Sequence, residues 1–114
     1  MHWGRILVVA QDEDLRRSLT FALAAYGHAV TPRADLPQGE EASAFDCIVL
    51  DEHALPKSVT PARLFPTCPV LLLAYSQEGL ANASVTGVIA MPLKGEAVPQ
   101  AVAAALSGVR QNAK

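Results

Sequence analysis

Four stretches of the chain are apolar without alternation: residues 6–10, 47–50, 70–74 and 88–90. Runs this short and unbroken suit strands covered on both faces, as in a parallel sheet, whereas a strand with one wet face alternates. Residues 28–31 form a weaker fifth candidate. Between the first two runs Leu15, Leu19, Ala22, Leu23 and Tyr26 recur at helical spacing, behind the acids Asp12, Glu13 and Asp14 and ahead of Gly27. Acids at the start and glycine at the stop delimit a helix. A short second helix fits residues 36–44, and another fits 77–82 with Ser76 as its cap. A last helix fits 96–106, starting near Lys94 or Gly95 so that Pro99 lies in its first turn, where a missing N–H is harmless. Pro56, Pro61, Pro66 and Pro69 leave room for about one helical turn around residues 62–65, which shortens the third crossover helix.

Alternating strands and helices joined by right-handed crossovers give a doubly wound α/β domain with a five-stranded parallel sheet. The expected strands are 5–10, 28–31, 47–51, 70–74 and 87–90. Such sheets carry their sites at the carboxyl ends of the strands, here residues 10–14, 51–53, 74–76 and 90–92.

Composition narrows the picture. With 114 residues, 51% of them hydrophobic, the chain makes one domain over 1–114 and buries a core without disulfides or structural metal. Nine Lys and Arg against eleven Asp and Glu lack the positive excess that nucleic-acid binding needs. Cys47 and Cys68 have no close Cys or His partners for zinc or a redox pair and read as core residues. The first apolar run is too short for a signal peptide or a membrane span, so the expected location is cytoplasmic, away from membranes. Met1 and the tail from Gln111 to Lys114 suit a complete short product, and excision from a larger protein is the alternative.

The sequence resembles the receiver domain of bacterial two-component response regulators. The resemblance rests on Ile6-Leu7-Val8-Val9, on Leu15, Arg16, Leu19, Leu23, Gly27, His28 and Val30, on Asp46-Cys47-Ile48-Val49-Leu50-Asp51, on Pro69-Val70-Leu71-Leu72-Leu73 and on Pro92. It implies a flavodoxin-like sheet in the order 2-1-3-4-5 and a cis bond before Pro92. In that family a pair of acids ending the first strand binds Mg²⁺ and an Asp ending the third accepts phosphate from a histidine kinase. A Ser or Thr and a Lys from later strands contact the phosphoryl group, and the charge on an acyl phosphate requires such neutralising partners. By the resemblance Asp51 holds the acceptor position, but Ala10 and Gln11 replace the acid pair, Ala74 the hydroxyl residue, Met91 the lysine and Val88 the aromatic switch residue. The pattern is that of a degenerate, or pseudo, receiver.

Each candidate carries two readings. Asp51 is a phosphoacceptor or a carboxylate taking hydrogen bonds from loop N–H groups. Asp12 is a metal ligand beside Asp51 or a helix N-terminal acid. His53 joins Asp12 and Asp51 around a transition metal or is a solvated loop histidine. Ser76 is a displaced hydroxyl contact or a cap. His28 and His2 suggest no catalysis, and no nucleotide-binding or hydrolase motif occurs. No cofactor is expected, with at most weak Mg²⁺ affinity.

The leading functional expectation is a non-enzymatic interaction module of two-component signalling that binds a histidine kinase or an output protein without phosphorylation-dependent switching. Its binding face, or a homodimer contact, is expected within residues 77–106. The alternatives are a phosphoacceptor using Asp51 with a reduced metal site, and a small flavodoxin-like ligand binder using the space left by Ala10, Ala74 and Met91.

Overall fold

A computed structural model describes residues 4–36, 44–56, 68–76 and 85–112. Its sheet is built from β1 (Arg5–Val9), β2 (Ala29–Arg33), β3 (Cys47–Asp51), β4 (Val70–Ala74) and β5 (Gly87–Ala90), in the order β2-β1-β3-β4-β5 with every pair parallel. Three of the four unbroken apolar runs are the central strands β1, β3 and β4, while the fourth, 88–90, is the partly buried edge strand β5. All five residues of β3 and of β4 are buried. Side chains alternate between two layers: Ile6, Val8, Val49, Leu71 and Leu73 enter one core, while Leu7, Val9, Ile48, Leu50 and Leu72 enter the other. Cys47 belongs to the first layer and Cys68 packs against the second.

Helix α1 (Glu13–Ala25) covers the first layer with Leu19 and Leu23, and α2 (Ala97–Asn112) covers it with Val98, Val102, Ala105 and Leu106. The Asp12 carboxylate caps α1 by accepting from the Asp14 N–H at 2.9 Å. At the other end Gly27 takes φ +92°, while its N–H reaches Ala24 O and that of His28 reaches Leu23 O. This pair of bonds satisfies two last-turn carbonyls and needs a left-handed residue at Gly27. Pro99 is the third residue of α2, inside the first turn. The Met91–Pro92 bond is cis.

Two elements run past their expected ends, while β1 stops at Val9, one residue short. β2 runs on through Pro32 to Arg33, because it lies on the sheet edge and pairs only with β1. A residue without an N–H is tolerated there. α2 continues to Asn112, past the expected end at 106. The helices expected over 36–44 and 77–82, and the shortened crossover around 62–65, fall wholly or mostly outside the described residues. Among the described residues no helix is long and apolar enough to cross a membrane.

His28 is buried at the start of the β2 segment, where its Nδ1 accepts the Gly4 N–H at 3.0 Å. Burial lowers its pKa from 6.5, since the imidazolium loses its hydration. The folded chain therefore binds this proton less readily than the unfolded chain. Its contribution to stability is complete above pH 6.5 and is lost as pH falls from there through the depressed native value. The urea midpoint should fall between about pH 7.5 and about pH 5, and His28→Asn, which keeps an acceptor without titrating, should flatten that part of the profile. An equal slope in wild type and variant would contradict this.

Candidate functional site

The site lies where the strand register ends. Val9 pairs with Leu50, and Ala10 and Asp51 each follow that last pair. Asp51 itself pairs with Leu73, and Ala74 with Ala90. Thus Ala10, Asp51 and Ala74 end adjacent strands, with Met91 and Pro92 one step beyond β5. Ala10 and Ala74 are fully buried methyl groups.

Asp51 is 2% exposed, and a carboxylate so placed requires donors. Two are supplied from within. The turn of 3₁₀-helix at Glu52–Ala54 begins on Asp51, whose Oδ1 accepts the His53 N–H at 2.8 Å. The Tyr75 hydroxyl, from the residue after β4, donates to Oδ2 at 3.0 Å. The Tyr75 ring stacks on His53, with centroids 4.0 Å apart and planes 13° from parallel. Both carboxylate oxygens are thereby engaged under an aromatic cover. The His53 Nδ1 stands 3.8 Å from Oδ1, beyond hydrogen-bond range.

Glu52, the next residue of the same turn, meets the main chain of the two residues after β4. Its Oε1 accepts the Tyr75 N–H at 2.7 Å and the Ser76 N–H at 3.1 Å, and its Oε2 meets the Ser76 hydroxyl. The Ser76 hydroxyl first, and then the Tyr75 N–H, hold the Glu52 carboxyl below its usual range. At the end of β1, Arg16 Nη1 donates to Ala10 O at 2.8 Å and to Gln11 O at 3.3 Å.

The donor set does not fit Mg²⁺, the ion implied by the resemblance. Ala10 offers no side-chain oxygen, and the Asp12 Oδ1 and both Asp51 oxygens each already accept one internal hydrogen bond. A permanent guanidinium charge sits on the carbonyl oxygens that end β1, and a second cation there would be repelled. Among the described residues no group of three or more His, Cys, Asp and Glu is placed to hold a metal.

No family profile matches the chain, and no curated protein matches it. Solved structures do. A response regulator receiver domain protein from Clostridium thermocellum superposes with TM-score 0.77 at 17% identity, covering 95% of this chain and 98% of that one. The fold is that of a receiver domain. NtrX from Brucella abortus superposes with TM-score 0.75 at 17% identity over 98% of this chain, which spans only 28% of NtrX. A pilus assembly-related protein from Burkholderia pseudomallei superposes with TM-score 0.64 at 25% identity, covering 90% of this chain and 89% of that one.

Within the receiver fold, the sites marked from sequence converge unevenly. Asp51, Ala10 and Ala74 come together, and Met91 follows the far strand. Asp12 is exposed and spends its Oδ1 on the α1 cap, while Gln11 is exposed beside it. Tyr75 and Glu52, which do most to shape the site, carry no motif, and Arg16 entered only through the helix pattern of the resemblance, with no site role. The rule that sites lie at strand ends marked 51–53 and 74–76 but did not single out these side chains.

Proposed function

We propose that this domain is a pseudo-receiver: an interaction module of two-component-type signalling, not an enzyme, that presents its binding surface without a phosphoryl switch. The observation that carries the proposal is Asp51, 2% exposed with both carboxylate oxygens held by His53 N–H and Tyr75 O–H. A phosphodonor must reach one of those oxygens, and both are covered. The replaced positions Gln11, Ala74 and Met91 supply no acid, hydroxyl or ammonium for the charge that would form. We assign the whole chain, 1–114, to this one domain.

The partner is a signalling protein, a histidine kinase or an output protein. Its docking face is placed along β5 and α2, within the expected 77–106 region, and a second copy of the chain is the alternative occupant. A groove of about 600 Å³ runs there beside Val88, Met91, Pro92, Lys94, Ala97 and Ala101. This apolar floor edged by Lys94 and Gln100 suits a protein side chain more than a nucleotide.

The test begins with capture of the partner by the wild-type domain, followed by calorimetry with wild type and Asp51→Asn. The amide keeps the size of the carboxylate and removes its charge and any phosphorylation. Affinities within about threefold are expected, because no two-state element is biased by Asp51. A tenfold or larger change would transfer the role to a phosphoacceptor regulator.

A further inference from the structure

The Glu52 carboxylate is bound as a small oxyanion would be. Two successive main-chain N–H groups, of Tyr75 and Ser76, converge on Oε1 at 2.7 and 3.1 Å, and the Ser76 hydroxyl meets Oε2. Consecutive N–H groups aimed at one point form an anion-binding concavity, and charge-assisted bonds of this kind are the strong ones. The acid that fills it is 23 residues away from Tyr75 in sequence and directly follows Asp51. Tyr75 is also the residue whose hydroxyl covers Asp51. The backbone from which the covering phenol hangs is therefore fixed by the neighbour of the residue it covers.

We propose that Glu52 is an internal oxyanion ligand that latches Tyr75 and Ser76, the two residues after β4, so that Tyr75 stays over Asp51, filling a cradle that would otherwise take inorganic phosphate or another small oxyanion. Tethering gives Glu52 an effective concentration that free anions at ordinary levels do not match, so the latch stays shut in the wild type. The inference draws on the covered state of Asp51 and not on partner binding. If phosphorylation-independent binding failed, the latch would be untouched, and its own readout is separate.

The experiment follows backbone amide exchange by NMR in wild type, Glu52→Ala and Glu52→Gln, with and without inorganic phosphate. Glu52 lies at the surface end of the site, and the amides of Val49 and Leu72 report that the sheet is intact. In Glu52→Ala the Tyr75 and Ser76 amides should exchange about tenfold faster, the loss of one hydrogen bond to a charged group. Millimolar phosphate should shift those two amides in Glu52→Ala and leave them unmoved in wild type. Glu52→Gln keeps the shape and loses the charge, so a rise of about threefold is expected, and it decides the matter if Glu52→Ala does not fold. Exchange within the error of wild type in both variants, or phosphate shifts as large in wild type as in Glu52→Ala, would overturn the latch.

Discussion

Leu23→Ala should destabilise the domain by about 2–5 kcal/mol, the range for truncating a fully buried leucine. Leu23 lies on α1 with no exposed surface, between the helix and the first core layer. The loss has two parts, the transfer of the side chain's apolar surface and the cavity that the rigid sheet cannot close. A domain of this size has about 5–15 kcal/mol in hand, so the variant should remain folded at low urea and melt early. Phe21, two positions earlier on the same helix, is 79% exposed, and Phe21→Ala should stay within about 0.5 kcal/mol of wild type. Urea titrations followed by circular dichroism measure both, and equal effects would contradict the placement of α1.

Tyr75→Phe should cost about 1–2 kcal/mol, well outside the range of an ordinary surface substitution. The ring and its stack on His53 remain, and only the donor to the Asp51 Oδ2 is lost. Hydrogen bonds to charged groups contribute roughly 1.5–3 kcal/mol, and the partial exposure of Tyr75 lets water replace some of it. The same bond has a pH signature. Burial first, then the hydrogen bond to Asp51 and the charges of Asp51, Asp12 and Glu52, push the Tyr75 phenol from 10.0 up to about 12. A raised native pKa means that the phenol's contribution is complete below pH 10.0 and is lost as pH rises toward about 12. Tyr26 also titrates late, through its hydrogen bond to Glu96. Ultraviolet titration should therefore show a late phenol step in wild type that shrinks in Tyr75→Phe, and an unchanged step would contradict the geometry.

The fold was legible in the sequence because central parallel strands are buried on both faces and announce themselves as unbroken apolar runs, as at 47–50 and 70–74. α1 announced itself through Asp12 and Gly27, whose roles are local. β2 was read short at Pro32, since its edge position depends on strand order and no local pattern reveals that. The candidate site was half legible. Asp51 stands at a strand end, and the small residues Ala10 and Ala74 mark the neighbouring ends. Tyr75 and Glu52 stand in no motif, and Arg16 only in the helix pattern of the resemblance, because their site contacts join residues 23 or 24 apart or end on main-chain N–H and C=O groups. Backbone partners leave no side-chain signature.

The covering of Asp51 also bears on switching. Moving a two-state element from 1:99 to 99:1 takes about 5.5 kcal/mol of differential binding. A phosphoryl group on Asp51 would first have to displace the Tyr75 hydroxyl and the His53 N–H, and would then meet the methyl group of Ala74 and no ammonium at Met91. On the proposed pseudo-receiver reading, one standing conformation is expected.

The most direct measurement is intact mass after incubating the wild-type domain with acetyl phosphate and Mg²⁺, with Asp51→Asn alongside. A buried Asp51 whose two oxygens accept from the Tyr75 hydroxyl and the His53 N–H predicts an unmodified mass for both proteins. A phosphoryl adduct on wild type that is absent from Asp51→Asn would show Asp51 to be an accessible acceptor and would contradict the account.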